Sequence, residues 1–257
     1  MYTSIRTADL RSLHILKTMT TANTIISKST SWQMFDDISP RYDFLNHLLS
    51  FGLDIRWRRR LARFLKSRPG QNVLDLATGT ADVLISLFKN NPHVQKASGI
   101  DLAEKMLAIG RPKIIREGLQ ERAILKHGDA HNIPFDSLTF DAVTIAFGIR
   151  NMENPEQVLK EMRRVLKKGG RALVLEFSLP QNVFIRWVHL AYLRHIVPLI
   201  GAAFSGHYRA YKYLNQTIES FPYGTAFCAL MAKAGFQHVQ ACPLMSGIAT
   251  IYQGDKI

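Results

Sequence analysis

The chain has 257 residues, of which 47% are apolar and 21% charged, and carries a formal net charge of +13. That composition suits one α/β domain or two small ones and excludes a chain disordered in bulk. Its two cysteines, Cys228 and Cys242, lack a neighbouring Cys or His at ligand spacing, which excludes a disulfide framework and a structural zinc, and no other metal site is expected.

The basic excess is uneven: residues 1–70 hold 12 Lys/Arg against 5 Asp/Glu, while the remaining 187 hold 21 against 15. Residues 1–33 mix Ser, Thr and basic side chains without a sustained apolar period. They are expected to be a mobile tail, and their composition also suits a transit peptide or a leader before a start at Met19 or Met34. From Met34 to Arg68 the pattern is helical, with Tyr42, Leu45 and Leu49, then Trp57, Leu61 and Phe64, recurring on one face and arginines on the other. These helices (34–68) are expected to form a lid with Tyr42, Phe44, Leu45 and Leu48 on its inner side.

Pro69 and Gly70 end that segment, and short apolar strands alternating with helices follow, the signature of a parallel sheet. The predicted strands are Asn72–Ala77, Lys96–Ile100, Ala123–His127, Phe140–Phe147, Arg171–Phe177, Gln237–Cys242 and Ile248–Gln253. The predicted crossover helices are Asp82–Asn90, Glu104–Gly118 and Pro155–Lys168, the last closing on Gly169 and Gly170. The fold class expected is α/β, one domain over 34–257, with a binding core at 69–180 and an acceptor-side layer at 181–257. That last part holds 12 of the 25 aromatic residues. Its longest apolar run, Trp187 to Phe204, is interrupted by His189, Arg194, His195 and Pro198, short of a clean membrane span.

The first strand runs into a small-residue turn, Ala77-Thr78-Gly79-Thr80-Ala81, and then a helix. In a doubly wound sheet that turn lies where ligands bind. The second strand ends in Asp101-Leu102, at the spacing from which an acid reaches ribose hydroxyls, and the third is followed by Asp129-Ala130. Asp75, Asp101 and Asp129 are thus expected to edge one crevice. A dinucleotide's pyrophosphate would want three glycines in the turn, and only Gly79 is present. Three acids better suit a ligand with an adenine, a ribose and a cationic centre, S-adenosylmethionine (SAM).

From Met34 onward the sequence resembles the menaquinone/ubiquinone biosynthesis C-methyltransferases, which methylate demethylmenaquinol and methoxy-polyprenyl-benzoquinol. The resemblance is carried by Met34-Phe35-Asp36-Asp37-Ile38, Trp57-Arg58-Arg59, Asp75-Leu76-Ala77 with Gly79-Thr80, and above all Phe147-Gly148-Ile149-Arg150-Asn151. It implies a seven-stranded, mostly parallel, Rossmann-like class I SAM-dependent methyltransferase. It also implies cofactor contacts from Gly79, Thr80, Asp101, Asp129, Ala130 and Ala146. Thr78 and Ala81 stand where glycine is usual, and Ala146 where serine often stands.

Methylating a ring carbon requires a nucleophilic carbon, which a quinol gains when its hydroxyl, of pKa about 10, loses a proton. Arg150 and Asn151, directly after the fourth strand, are the candidates to stabilise the resulting oxyanion and fix the ring. Arginine is a poor base, so a bound water, His131, Tyr42 or Asp43 is expected to take the proton. The expected acceptor is a prenylated quinol, demethylmenaquinol first and the benzoquinol as alternative. A peripheral association with an anionic membrane surface is expected, on the inner face of a cytoplasmic membrane or in the mitochondrial matrix if residues 1–33 are a transit peptide. A homodimer fits equally. Nucleic-acid methylation, which the charge and the Arg58-Arg59-Arg60 run would suit, is disfavoured: an Asn/Asp-Pro-Pro-aromatic tetrad and a cysteine nucleophile are both missing after the fourth strand. A non-catalytic scaffold is the other alternative.

Overall fold

The computed structural model describes residues 27–205 and 208–257; the first 26 residues of the expected tail lie outside these. Among the described residues seven strands form one sheet in the order β3-β2-β1-β4-β5-β7-β6. These are β1 (Gln71–Leu76), β2 (Val94–Asp101), β3 (Ala123–His127), β4 (Phe140–Ala146), β5 (Leu166–Phe177), β6 (Gln237–Leu244) and β7 (Ala249–Asp255). All pairs are parallel except those of β7 with β5 and β6. The order reverses between β1 and β4, so the ends of these two strands flank the switch point where such sheets bind ligands.

Helices α1 (Ser31–Leu49) and α2 (Leu53–Ala62) precede the sheet, joined where Gly52 takes φ +71. Helices α3 (Asp82–Asn90), α4 (Glu104–Arg116) and α5 (Pro155–Val165) are the crossovers. Leu84 and Leu87 of α3 and Ile114 of α4 pack with Val73 and Ala97 on one face; Val158, Leu159 and Met162 of α5 pack with Leu74, Leu76 and Val143 on the other. Beyond β5 come α6 (Val183–Ala191), a wider turn at Tyr192–Ile196, α7 (Val197–Ser205), α8 (Tyr208–Ser220) and α9 (Thr225–Lys233). Parts of α6 to α8 pack on α1 through Ile38, Leu45, Leu193, Val197 and Ile218.

Four expectations are corrected. The first helix starts at Ser31, so the tail does not extend to residue 33; Ser31 is buried. The third crossover helix ends at Val165, because Leu166 leaves it to pair with Phe140 and begin β5. Gly169 and Gly170 accordingly form an irregularity within β5 and not a helix cap: a Cβ on Gly170 would stand 2.9 Å from Lys167 O. Phe44 and Leu48 face outward, since the buried stripe of α1 runs through Ile38, Tyr42, Leu45 and Leu49 at spacings of three and four. Finally, the helical stretch from Val183 to Gly201 is long and apolar enough to cross a membrane by length and composition, unlike the interrupted run expected there.

Candidate functional site

The turn after β1 is tight. Ala77, Gly79 and Ala81 take φ of +48, +53 and +67, the left-handed region that costs an alanine energy and a glycine little. Small residues let neighbouring turns close on it: a Cβ on Gly148 would stand 2.7 Å from Ala77 Cβ, and one on Gly99 2.8 Å from Thr78. The loops after β1 and β4 therefore meet.

Two cavities open from this junction. One, of about 190 Å³, is lined by Gly79, Asp101, Leu102, Asp129, Ala130 and Ala146 among others. Asp101 is fixed by two backbone donors, Gly79 N and Ala103 N, each at 2.8 Å. Burial, partly opposed by these bonds, raises its pKa. Asp129 accepts from His131 N at 2.8 Å. Three carboxylates line this cavity, Asp101, Asp129 and Glu153, and Lys28 is its one Lys or Arg among the described residues. The donor set fits an adenosine with a cationic centre and would repel a phosphate.

The other cavity, of about 380 Å³, is mostly apolar and is lined by residues of α1, α2, α6 and α8 with the loop after β4. The two cavities share Phe35, Tyr42, Phe147 and Asn151 as walls. Tyr42 and Asn151 thus stand where they join, and Arg150 lines the larger one.

Arg150 is 4% exposed. Its Nη1 donates to Glu176 Oε1 at 2.7 Å and to Phe147 O, and its guanidinium lies 5.2 Å from the Phe177 ring centre. The Nε–H is buried with no partner among the described residues, as is Asn151 Oδ1. Burial raises the Glu176 pKa, against the pull of Arg150. Burial likewise raises that of Tyr42, against a hydrogen bond with Asn46 and the charges of Arg150 and Arg58. Tyr42 is therefore a neutral phenol near neutral pH, suited to donating and positioning and a poor proton acceptor.

Several expected residues lie elsewhere. Asp75 lines neither cavity: it pairs with Gly99 on β2 and Thr144 on β4, two positions before the strand end, and accepts from Thr144 Oγ1 at 2.6 Å. The three acids are thus not level; Asp101 pairs with His127, one strand end further. Thr80 also lines neither cavity. Its hydroxyl donates to Asp43 Oδ1 at 2.6 Å and neighbours Lys113, which also meets Asp43 and Asp82. Asp43, an expected base, is spent in this latch between α1 and the core. His131 sits on the smaller cavity, with its ring on Asp129, away from the acceptor side. Arg58, expected on an exposed basic face, is buried and paired with Asp54.

The larger cavity also holds polar residues to which the sequence reading gave no chemical role, Trp57, His189 and Tyr213 among them. Trp57 Nε1 and His189 Nε2 are buried without partners, and burial lowers the His189 pKa. The signals in the sequence are the Trp57-Arg58-Arg59 motif, the polar break at His189 in an apolar run, and the aromatic richness of residues 181–257, which includes Tyr213.

The ubiE/COQ5 methyltransferase family model matches residues 24–256. A ubiquinone/menaquinone biosynthesis C-methyltransferase UbiE of Geobacter sulfurreducens is 45% identical over 87% of this chain and 87% of its own. A demethylmenaquinone methyltransferase of Thermus thermophilus is 44% identical over 87% of this chain and all of its own, and one of Bacteroides fragilis is 40% identical. Among solved structures, a SAM-dependent methyltransferase of Thermotoga maritima, described as a possible histamine N-methyltransferase, superposes with a TM-score of 0.62 at 20% identity, covering 88% of this chain and 99% of its own. With the Phe147 to Asn151 loop at the meeting of the two cavities, the chain belongs to the ubiE/COQ5 methyltransferase family.

Proposed function

We propose that this enzyme transfers the methyl group of SAM to a ring carbon of a prenylated quinol in menaquinone or ubiquinone biosynthesis, with demethylmenaquinol as its preferred acceptor. The observation that carries this is the junction itself: an acid-lined cavity and a large apolar one share Tyr42 and Asn151, with Arg150 beside them. SAM supplies an electrophilic methyl on a sulfonium. Asp101 and Asp129 hold the adenosine, and their negative charge favours the sulfonium. Arg150 and Asn151 hold the ring by its oxygen, Arg150 favouring the quinolate over the quinol. The lid helices exclude water from the anion, raising its reactivity. The names of the Thermus and Bacteroides relatives support the naphthoquinol over the methoxy-benzoquinol. Incubation with labelled SAM and each quinol tests this, and label in neither would refute it.

The same proposal places the enzyme peripherally on an anionic membrane. Val183, Phe184, Trp187 and Leu199 are each more than half exposed, and Phe51, 78% exposed, marks the opening of the acceptor cavity beside Tyr192. The opposite side of that helical stretch, through Ile185, His189 and Leu193, lines the cavity. This supports a helix lying in the interface in preference to one spanning it. Arg56, Arg59 and Arg60 are exposed on α2 and supply charge. Co-sedimentation with phosphatidylglycerol vesicles that weakens in salt is the expected result, and binding unchanged by salt would refute it. The inner face of a cytoplasmic membrane, or the mitochondrial matrix, is the location, and a homodimer completes the proposal, with light scattering as its test. Nucleic acid is not proposed as a partner.

A further inference from the structure

We infer that Trp57 is a catalytic residue, its indole N–H forming with the Arg150 Nε–H an oxyanion hole for the acceptor's ring oxygen. The inference rests on the quinol reading above.

Trp57 is 4% exposed, and its Nε1 is buried with no acceptor. Buried donors are almost always satisfied, and a tryptophan that only fills volume is normally placed so that its N–H finds a partner. The neighbours of this ring are aromatic: Phe147 at 6.0 Å and Phe177 at 6.1 Å between ring centres. Neither offers an acceptor. Arg150 packs against the same Phe177 ring, and its Nη1 is already engaged by Glu176 and the Phe147 carbonyl. Its Nε–H is the second buried donor without a partner, and both residues line the larger cavity. Trp57 and Arg150 come from different elements, one from α2 and one from the loop after β4. Asn151 Oδ1, His189 Nε2 and Tyr213 OH of the same cavity are also unpartnered among the described residues, but Trp57 Nε1 and Arg150 Nε are the two that share the Phe177 ring as support. Two such donors facing a mostly apolar cavity call for an oxygen from a ligand, and negative charge on that oxygen strengthens both bonds.

In the reaction the hydroxyl proton leaves to water and the oxygen becomes anionic. The ring's electron pair forms the new carbon–carbon bond while the sulfur–methyl pair returns to sulfur. The methylated carbon then gives up its hydrogen as a proton, restoring aromaticity. Donors fixed at the oxygen stabilise the anion formed in the first stage, which raises the share of the acceptor present as the nucleophilic quinolate when the methyl is transferred.

Trp57→Phe keeps the aromatic packing and removes the N–H. Two ring probes read the difference without turnover: 2-hydroxy-1,4-naphthoquinone, an anion at neutral pH, and neutral 1,4-naphthoquinone, titrated calorimetrically into the full-length protein. The expected result is at least about a tenfold weakening for the anion and less than about a twofold change for the neutral ring, with kcat down about 10²-fold and SAM affinity unchanged, the size seen when one oxyanion donor is lost. Equal weakening for both rings, or none for the anion, would overturn the inference. If the Phe variant fails to fold, 3-benzothienylalanine at position 57 gives the same bicyclic shape without the N–H and is read the same way. Absence of methyl transfer by the wild-type enzyme to either quinol would instead sink the acceptor reading, and the two-probe comparison would still decide whether Trp57 recognises an anion.

Discussion

Replacing Arg150 by alanine strips the counter-charge from Glu176, a carboxylate 1% exposed and 2.7 Å from it. Breaking a buried pair in this way costs about 3–5 kcal/mol when the remaining group stays charged. Glu176 has an alternative, because burial already pushes its pKa up even with Arg150 present. Without the arginine it takes a proton. Holding that proton costs about 1.36 kcal/mol for each pH unit above an unfolded value of about 4.3. A group whose folded pKa is raised contributes stability that is fully present below its unfolded pKa and is lost as pH climbs toward the folded one. The gap between wild type and variant should therefore widen between pH 5.5 and 7.5, by less than about 2.7 kcal/mol, two units at about 1.36 each, because the wild-type Glu176 pKa is itself raised. Urea unfolding followed by tryptophan fluorescence at the two pH values measures it. Adding Glu176→Gln to the alanine variant should remove the pH dependence. A gap of equal size at both pH values would refute the reasoning and make Arg150 a packing residue with no electrostatic partner of consequence. In turnover, Arg150→Ala should lower kcat while leaving SAM affinity within about twofold, since only the acceptor cavity loses a donor.

Three other outcomes follow from the geometry. Asp101→Asn should weaken SAM binding by about 10- to 100-fold in calorimetry, because a charge-assisted bond contributes about 1.5–3 kcal/mol; unchanged affinity would remove Asp101 from the ribose. Asp75 has its pKa raised to about 7 chiefly by burial, against the hydrogen bond from Thr144, so the protein loses stability as pH rises from about 4 to about 7, and Asp75→Asn should abolish as much as about 4 kcal/mol of that decline; parallel stability curves for the two proteins would contradict the raised pKa. Lys113→Met should remove the cation that bridges Asp43 to Asp82, leaving Asp82 with Arg58, and loosen α1, so hydrogen exchange over residues 31–49 should quicken while the sheet stays protected; unchanged exchange there would deny the latch.

The sheet was legible because its central strands are buried on both faces and read as continuous apolar runs, and because the turn after β1 announces itself in small residues. Gly79, Asp101, Leu102, Asp129, Ala130 and Ala146 follow from that, each at a strand end or within three residues beyond it. Asp75 was misread because proximity to the end of a strand in sequence does not fix register: pairing with Gly99 and Thr144 sets it two residues down. Thr80 was misread because its partner, Asp43, is 37 residues away on another helix. The larger cavity was legible through Tyr42, Arg150 and Asn151. Its other polar groups come from α2, α6 and α8, and their convergence depends on how those helices cross α1, which no local period encodes. Phe44 and Leu48 show the same limit on a smaller scale: the helix was read correctly and its inner face was assigned one flank too wide.

The pairing of Arg150 with Glu176 has a chemical consequence. On the proposed reading the methyl group leaves a cation and arrives on an anion, so charge is annihilated in the transition state. A strongly charged, water-rich site would hold the separated ions too well and raise the barrier, because only interactions stronger in the transition state than before it accelerate the step. A lone buried arginine beside the ring would be such a site. Neutralised by Glu176, the guanidinium presents directed N–H dipoles with little net charge, enough to favour loss of the quinol proton without clamping the anion. The apolar walls around it, Phe147, Phe177 and Trp57, keep water from doing what the arginine has been prevented from doing. The same logic accounts for the positions of the acids: Asp101, Asp129 and Glu153 line the smaller cavity only, so their field holds the sulfonium in place and does not oppose the anion across the junction. Exchanging Glu176 for glutamine should then strengthen binding of an anionic ring and slow methyl transfer at the same time, a combination that a merely structural carboxylate would not produce.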